Sequence, residues 1–139
     1  MTTIQGIVEV EQETASLLLE AGQLLCQMGR HKHAADLFEG VGHLIPHSGV
    51  PPMLLGNLHF AQGKLNLAEK AHRDAVQREP SRAACWAHLG EALLWGGKVV
   101  EGLEACDHAL SLTGTDPSAK QFASNLKQAQ ELGCFEPED

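Results

Sequence analysis

The chain is poor in aromatic residues, and this scarcity narrows the choice of fold. Its 139 residues include no Tyr, and Phe and Trp together make up only 4%. Strands favour aromatic and β-branched residues, whereas the Ala, Leu and Gln that are plentiful here favour helices. Because 43% of the residues are hydrophobic, we expect one globular, helical domain.

Basic charge is also scarce and unevenly placed. Lys and Arg number 10 against 18 Asp and Glu, which gives a net charge of −8 at pH 7. Residues 1–20 carry four Glu and no Lys or Arg, and residues 81–139 carry nine acidic and four basic side chains. Binding to a phosphate backbone needs clustered basic side chains. We therefore expect no nucleic-acid partner.

The sequence also lacks a long apolar run and the features of a signal peptide. A membrane-spanning helix needs about 20 apolar residues, so no membrane insertion is expected. The four cysteines show neither a CxxC pair nor the spacing of a metal site, and they are Cys26, Cys85, Cys106 and Cys134. This pattern favours a cytoplasmic protein with free thiols.

No constellation of residues typical of catalysis is present. The sequence contains no Gly-rich phosphate loop, carboxylate dyad or nucleophile elbow. Its eight histidines do not have the spacing of a zinc site, and packing or solvent-exposed roles are favoured for them, with metal binding by a histidine cluster left open. The chain is predicted not to be an enzyme, with no catalytic residue, cofactor or metal.

Small residues recur along the chain at a spacing of 34. The columns in this register are Gly22, Gly56 and Gly90; Gly29, Gly63 and Gly97; Ala34, Ala68 and Gly102; Val41, Ala75 and Ala109; and the basic residues Arg30, Lys64 and Lys98. A fixed period of this length is typical of a stacked array of repeats.

Each repeat is predicted to contain two helices. In the third repeat these are residues 83–94 and 99–112, separated by the turn Gly96-Gly97. Small side chains at the crossing of the two helices allow close backbone approach. Trp86 is expected to pack between the helices.

These residues resemble a tetratricopeptide repeat (TPR). The third unit carries the pattern Trp86-x-x-Leu89-Gly90-x-x-Leu93 followed by Gly97, Gly102 and Ala109, and the second matches at Leu55-Gly56, Gly63, Ala68, Ala75 and Pro80. The resemblance implies an all-α, right-handed superhelix of three helix hairpins plus a C-terminal capping helix. At the place of Phe38, units two and three carry His72 and Cys106, which predicts looser packing there.

The repeat register divides the chain into segments. They are an N-terminal arm or helix extension (1–14), three repeat units (15–48, 49–82 and 83–116), a capping helix (117–133) and an acidic tail (134–139). The capping helix is expected because Asp116 and Pro117 form a strong helix start. The tail is expected to be loose.

The resemblance further implies a concave groove built from the first helix of each unit. The side chains expected to bind a partner there are Leu19, Gln23, Cys26, Val50, Met53, Asn57, Phe60, Ala84, Ala87, His88, Glu91, Leu94 and Trp95. In heat-shock co-chaperones of this family, a clamp of basic residues and Asn holds a C-terminal carboxylate. The matching places here carry no Lys or Arg, which disfavours carboxylate capture and favours a hydrophobic peptide.

Three repeats, small size and acidic charge are similar to the TPR chaperones of bacterial type III secretion. That similarity implies a cytoplasmic chaperone that sequesters a hydrophobic or amphipathic segment of a needle subunit or translocator. The alternative is a general TPR scaffold for another peptide, for example in pilus assembly or signalling. The expected partner is a protein or peptide, such as a secreted substrate or co-chaperone, and homo- or hetero-oligomerisation is left open.

Overall fold

The computed structural model of the chain describes residues 2–4, 8–10, 12–114 and 116–136. Seven helices lie within these residues: α1 (Gln12–Gln27), α2 (His31–Leu44), α3 (Val50–Ala61), α4 (Leu65–Arg78), α5 (Ala83–Trp95), α6 (Val99–Ser111) and α7 (Pro117–Glu131). Before them, strands β1 (Thr2–Ile4) and β2 (Val8–Val10) pair antiparallel.

The helices pack as three successive hairpins. Helices α1 and α2, α3 and α4, and α5 and α6 form the hairpins, and α2–α3 and α4–α5 contacts join them. The second helices begin at His31, Leu65 and Val99, which lie 34 residues apart. Helix α7 packs against both α5 and α6. The predicted all-α repeat fold with a C-terminal helix is confirmed.

The sequence left open whether the N-terminal segment is an extended arm or an extension of the first helix, and the structure contains both. The paired strands form an extended arm, and α1 begins at Gln12, three residues before the predicted start of unit one. The β-branched residues Val8 and Val10 are good strand formers.

The second glycine column makes the turn within each hairpin. Gly29, Gly63 and Gly97 have φ values of +77°, +76° and +81°. This left-handed conformation is readily adopted only by glycine. Each turn therefore has the same geometry, and the following helix leaves in the same direction.

The first glycine column lies where the two helices of a hairpin approach most closely. A Cβ atom at Gly90 would stand 2.7 Å from Cys106 Sγ, and one at Gly56 would stand 2.6 Å from the His72 ring. Both His72 and Cys106 are fully buried. The expectation of looser packing at these two positions is wrong, because glycine opposite them lets the helices close up.

Trp86 packs between α5 and α6, as expected. Its ring stacks on that of His108, with centroids 4.1 Å apart, and its Nε1 donates a hydrogen bond to the Pro80 carbonyl at 2.8 Å. It contacts the buried side chains of Leu89 and Leu93 in the core between units two and three. Trp86 thus stabilises the hairpin.

Helix α7 begins with a side-chain cap. The Asp116 carboxylate accepts a hydrogen bond from the Ala119 amide at 3.1 Å, and Pro117 is the first helical residue. The chain beyond α7 turns back, and Phe135 is half-buried against the third unit. Within the described part of the tail, Phe135 is therefore packed, whereas Cys134 and Glu136 are exposed; residues 137–139 lie outside the described residues.

Helices in the described part of the chain are too short and too polar to cross a membrane.

Candidate peptide-binding groove

The predicted groove residues divide into an open set on units one and two and a covered set on unit three. In the open set, side chains of α1 and α3 line two pockets. In the covered set, α7 and the residues after it lie over α5. The available binding surface is therefore displaced towards the N-terminal half of the array.

The first pocket, which we call the inner pocket, lies between α1, α2 and α3. It has a volume of about 230 Å³ and is lined by Gln23, Cys26, His31, Phe38, Leu54, Asn57, Leu58 and Ala61. None of these side chains is Lys, Arg, Asp or Glu. Phe38 and Leu58 are buried, so an entering side chain would meet a preformed apolar wall.

A second pocket, the outer pocket, lies at the N-terminal ends of α1 and α3. It has a volume of about 480 Å³ and is lined by Gln12, Ala15, Ser16, Leu19, Ile45, His47, Ser48, Val50, Glu79 and Arg82. Arg82 Nε donates to Glu79 Oε2 at 2.7 Å, and the Gly49 amide donates to Glu79 Oε1 at 2.9 Å. These bonds hold two inter-repeat loops together and leave the charged groups engaged with each other.

Two predicted groove residues are fully buried in the structure. Ala87 and Leu94 belong to the core cluster that α7 completes with Ala119, Ala123 and Leu126. The prediction that they face a partner is wrong. The repeat register places them on the inner side of α5, but α7 packs over that side.

Ala84, His88 and Glu91 lie at the edge of this covered region. The His88 ring is 5.1 Å from that of Phe122 on α7, and its Nδ1 is 3.8 Å from Glu91 Oε1. Ala84 is partly buried against the same cluster. Ala84 and His88 thus lie beside α7, whereas the recorded side-chain contact of Glu91 is with His88.

Phe60 and Trp95 meet at the C-terminal ends of α3 and α5. Their ring centroids are 6.2 Å apart in an edge-to-face arrangement, and Phe135 approaches Trp95 in the same way at 5.5 Å. Trp95 nevertheless keeps more than half of its surface exposed. The chain's own tail therefore contacts one side of Trp95.

Met53 lies on α3 but faces the next repeat. It packs against the core between units two and three, and its Sδ is 4.0 Å from Cys85 Sγ. Met53 is only half-buried, so part of its side chain remains exposed to solvent.

Three histidines, the buried His72 and the half-buried His59 and His88, lie near one another in the array. The rings of His72 and His88 stack with centroids 5.9 Å apart. Burial, with smaller effects of His88 and His59, lowers the pKa of His72 from 6.5 to about 3. Burial and then Lys64 lower the pKa of His59 as well. Both rings are thus neutral at physiological pH and serve packing.

The buried thiols are held in the protonated form. Burial, assisted by Glu79, raises the pKa of Cys85 to about 12, and burial with Asp107 raises that of Cys106 to about 11. Burial also raises the pKa of Cys26 above its ordinary value. Since the thiolate is the nucleophile, none of these three is activated for covalent chemistry. Within the described residues, no group of three or more His, Cys, Asp or Glu side chains is arranged to hold a metal ion.

The repeat register missed the pocket residues that lie outside the first helices. Ile45, His47 and Ser48 come from the loop between units one and two, and Glu79 and Arg82 from the loop between units two and three. The signal available in the sequence is positional, because inter-repeat loops border the ends of the first helices. Phe135 carried no signal, since it follows the last repeat.

Neither the known protein families nor the curated proteins contain a match to the sequence. Solved structures match its fold. One is the Yersinia enterocolitica type III secretion chaperone SycD in complex with a peptide of the translocator YopD. Its TM-score is 0.74 at 20% sequence identity, and the match covers 94% of this chain and 100% of that chain. PcrH in complex with the chaperone binding region of PopB has a TM-score of 0.72 at 16% identity, and the match covers 88% of this chain and 98% of that chain. The first TPR of Spaghetti (RPAP3), bound to the HSP90 peptide SRMEEVD, gives 0.71 at 22% identity over 88% and 99%. The chain therefore has the TPR fold.

Proposed function

We propose that this protein is a cytoplasmic chaperone that binds a hydrophobic or amphipathic segment of a type III secretion substrate. The substrate class is a needle subunit or a translocator. Such a substrate polymerises or inserts into membranes unless its apolar face is covered, and the groove on units one and two would cover it until export.

The inner pocket is the observation that carries this proposal. It offers Cys26, Leu54 and Ala61 around the buried Phe38, with no charged carboxylate, Lys or Arg. A pocket of this kind suits one apolar side chain of an extended or helical peptide, with Gln23 and Asn57 available for polar contacts.

The same chemistry argues against capture of an acidic C-terminus. The first TPR of Spaghetti (RPAP3) was solved with the HSP90 peptide SRMEEVD, which has acidic residues at its C-terminal end. In this chain the places that match the family's carboxylate clamp hold Leu19, Gln23, Leu54, Ala84 and His88. Without Lys or Arg at these places, a carboxylate would lose its hydration without gaining an ion pair.

The similarity to SycD and PcrH supports the chaperone role over a general scaffold. SycD was solved with a peptide of the translocator YopD bound, and PcrH with the chaperone binding region of PopB bound. A scaffold in pilus assembly or signalling would use the same groove for a peptide from a protein that is not exported. The identity of the captured protein therefore separates the two functions.

The test is a native pull-down from the source cell, followed by mass spectrometry, with two matched variants. Asn57→Glu puts a carboxylate into the inner pocket, whereas Asn66→Glu makes the same change on the exposed start of α4. We expect wild type and Asn66→Glu to retain a small exported helical protein, and Asn57→Glu to lose it. Circular dichroism should show equal helicity in all three.

Several results would contradict the proposal. Retention of the same protein by Asn57→Glu would remove the inner pocket from the binding site. Capture of a protein that is not exported would favour the scaffold. Calorimetric binding of the peptide SRMEEVD to wild type would show that carboxylate capture operates after all.

A further inference from the structure

Trp95 leaves a large aromatic surface exposed at the end of α5. Its exposed fraction is 58%. The repeat register gives the same position to Ala61 in unit two and Gln27 in unit one, so the repeat fold does not require a ring there. Ala61 lines the inner pocket, which shows that this repeat position borders a cavity. An exposed Trp is costly in water, and Trp is among the residue types most enriched where proteins bind their partners.

Beside Trp95 lies a third pocket, which we call the tail pocket. It has a volume of about 410 Å³ and is lined by residues 94–97 at the end of α5 and residues 134–136 after α7. Leu94 is buried, and the half-buried Phe135 holds its ring 5.5 Å from that of Trp95 at an angle of 78°. Two aromatic rings therefore line one cavity, and an apolar side chain that enters it can contact both.

The end of α7 holds the tail in this position. Gly133 has a φ of +79°, and the Cys134 amide donates a hydrogen bond to the Ala129 carbonyl at 3.0 Å. This is a common way for a helix to end on a glycine in the left-handed conformation. The chain then returns to unit three, where Phe135 packs against the core cluster. The wall that Phe135 forms is thus part of the folded chain before any ligand arrives.

The surroundings of the tail pocket are acidic. Glu136 lines the pocket and is exposed, and residues 131–139 include four acidic and no basic side chains. Lys98, which follows the pocket residue Gly97, is paired with another helix, since its Nζ lies 2.8 Å from Glu69 Oε1. A ligand that carries a positive charge beside its apolar group is therefore favoured at this pocket.

We infer that the tail pocket is a second peptide-binding site, which takes an aromatic or large aliphatic side chain next to a Lys or Arg. The apolar side chain packs against the rings of Trp95 and Phe135, and the neighbouring cation lies near the Glu136 carboxylate. The inner pocket, by contrast, has no acidic side chain in its lining. In the chaperone proposed above, the ligand is a second, basic stretch of the exported segment. That assignment rests on the proposed function, whereas the site itself does not.

The first experiment observes the two tryptophans separately by NMR of the isotope-labelled full chain. Trp95 and Trp86 give the two indole N–H signals, which Trp95→Phe assigns. The probes are the dipeptides N-acetyl-Phe-Lys-amide and N-acetyl-Phe-Glu-amide. We expect the Lys probe to shift the Trp95 signal saturably with a dissociation constant on the order of 1 mM, and the Glu probe to bind about two- to tenfold more weakly at low salt. The Trp86 signal should not move, because its Nε1 is bonded to the Pro80 carbonyl.

Two pairs of variants test whether the tail forms the site. Phe135→Ala removes one aromatic wall and should weaken binding of the Lys probe about three- to tenfold. Leu132→Ala is the control: Leu132 is 82% exposed and does not line the tail pocket, so binding should be unchanged. Glu136→Gln should reduce the preference for the Lys probe over the Glu probe, whereas Glu20→Gln, at an exposed site on α1, should keep it. Circular dichroism should show equal helicity in all four variants.

Three outcomes would overturn the inference. A Trp95 signal that neither probe moves would show that the tail pocket binds no such side chain. Tighter binding of the Lys probe to Phe135→Ala than to wild type would show that Phe135 fills the site as a competitor instead of forming its wall. Equal binding of the two probes at low salt would show that the acidic tail selects no charge. Neither probe is an exported protein, so these results are independent of whether the inner pocket binds one, and failure of either proposal is recognised separately.

Discussion

His72 makes stability depend on pH at the scale of a single residue. It is 1% exposed, and its Nδ1 has no hydrogen-bond partner among the described residues. His59 and His88 are the titratable groups that face it, and both repel a positive charge on its ring. Protonating this ring inside the fold therefore gains nothing to offset its burial.

The sign follows from the pKa values. In the unfolded chain His72 takes up a proton below its ordinary pKa of 6.5, whereas in the folded chain it does so only near pH 3. The unfolded state therefore binds more protons in this window, and the free energy of unfolding falls as pH falls. The expected loss from this group between pH 6.5 and pH 5 is about 2 kcal/mol.

Urea unfolding at several pH values measures this loss. His72→Phe should remove most of the slope while keeping the fold, because Phe38 occupies the same position opposite Gly22 in unit one. His33→Gln, at an exposed site, should leave the slope as in wild type. A His72→Phe protein that keeps the full slope would assign the acid sensitivity to other groups.

At the scale of helix pairs, a glycine has opposite effects depending on what faces it. In α5, a Cβ at Gly90 would meet Cys106 Sγ at 2.7 Å and the Gly102 carbonyl oxygen at 3.1 Å. In α2, a Cβ at Gly40 would meet no described atom within 4 Å. Both glycines lie inside helices, so backbone propensity is the same and only packing differs.

Thermal unfolding of two alanine variants separates the effect of backbone propensity from the effect of packing. Gly90→Ala should destabilise the protein by about 1–3 kcal/mol, because the overpacked helices must move apart. Gly40→Ala should stabilise it by about 0.5–1 kcal/mol, because alanine is the better helix former. Equal effects of the two changes would show that the α5–α6 crossing does not depend on the glycine.

The difference between these two glycines also shows which features of the fold the sequence could predict. The 34-residue period marks Gly90 as a repeat position and Gly40 as an isolated residue, and it places the helices and turns correctly. It does not identify what faces each position, since the partner of Gly90 is the non-aromatic Cys106. The pairing of small with large side chains is set by the packing of two helices together.

The candidate site was less accessible to sequence reasoning for a related reason. A repeat register gives each first helix the same inner face, but the last unit has α7 over that face, which buries Ala87 and Leu94. Among the described residues no repeat packs against the outer side of the first unit, and Leu17 and Leu24 are exposed there. Both departures arise at the ends of the array, where the assumption of equivalent neighbours no longer holds.

At the scale of the whole molecule, this difference between the ends predicts a gradient of local stability. Helix α5 contains eight buried residues and is enclosed by α4, α6 and α7, whereas α1 contains two, Ala15 and Gly22. In repeat arrays each unit is stabilised mainly by its neighbours, so a helix with an open side unfolds locally at lower cost.

Hydrogen exchange with mass spectrometry measures the gradient directly. Backbone amides of α1 should exchange first and those of α5 last. If α5 exchanges as early as α1, the array unfolds as one cooperative unit and its open end has no separate stability.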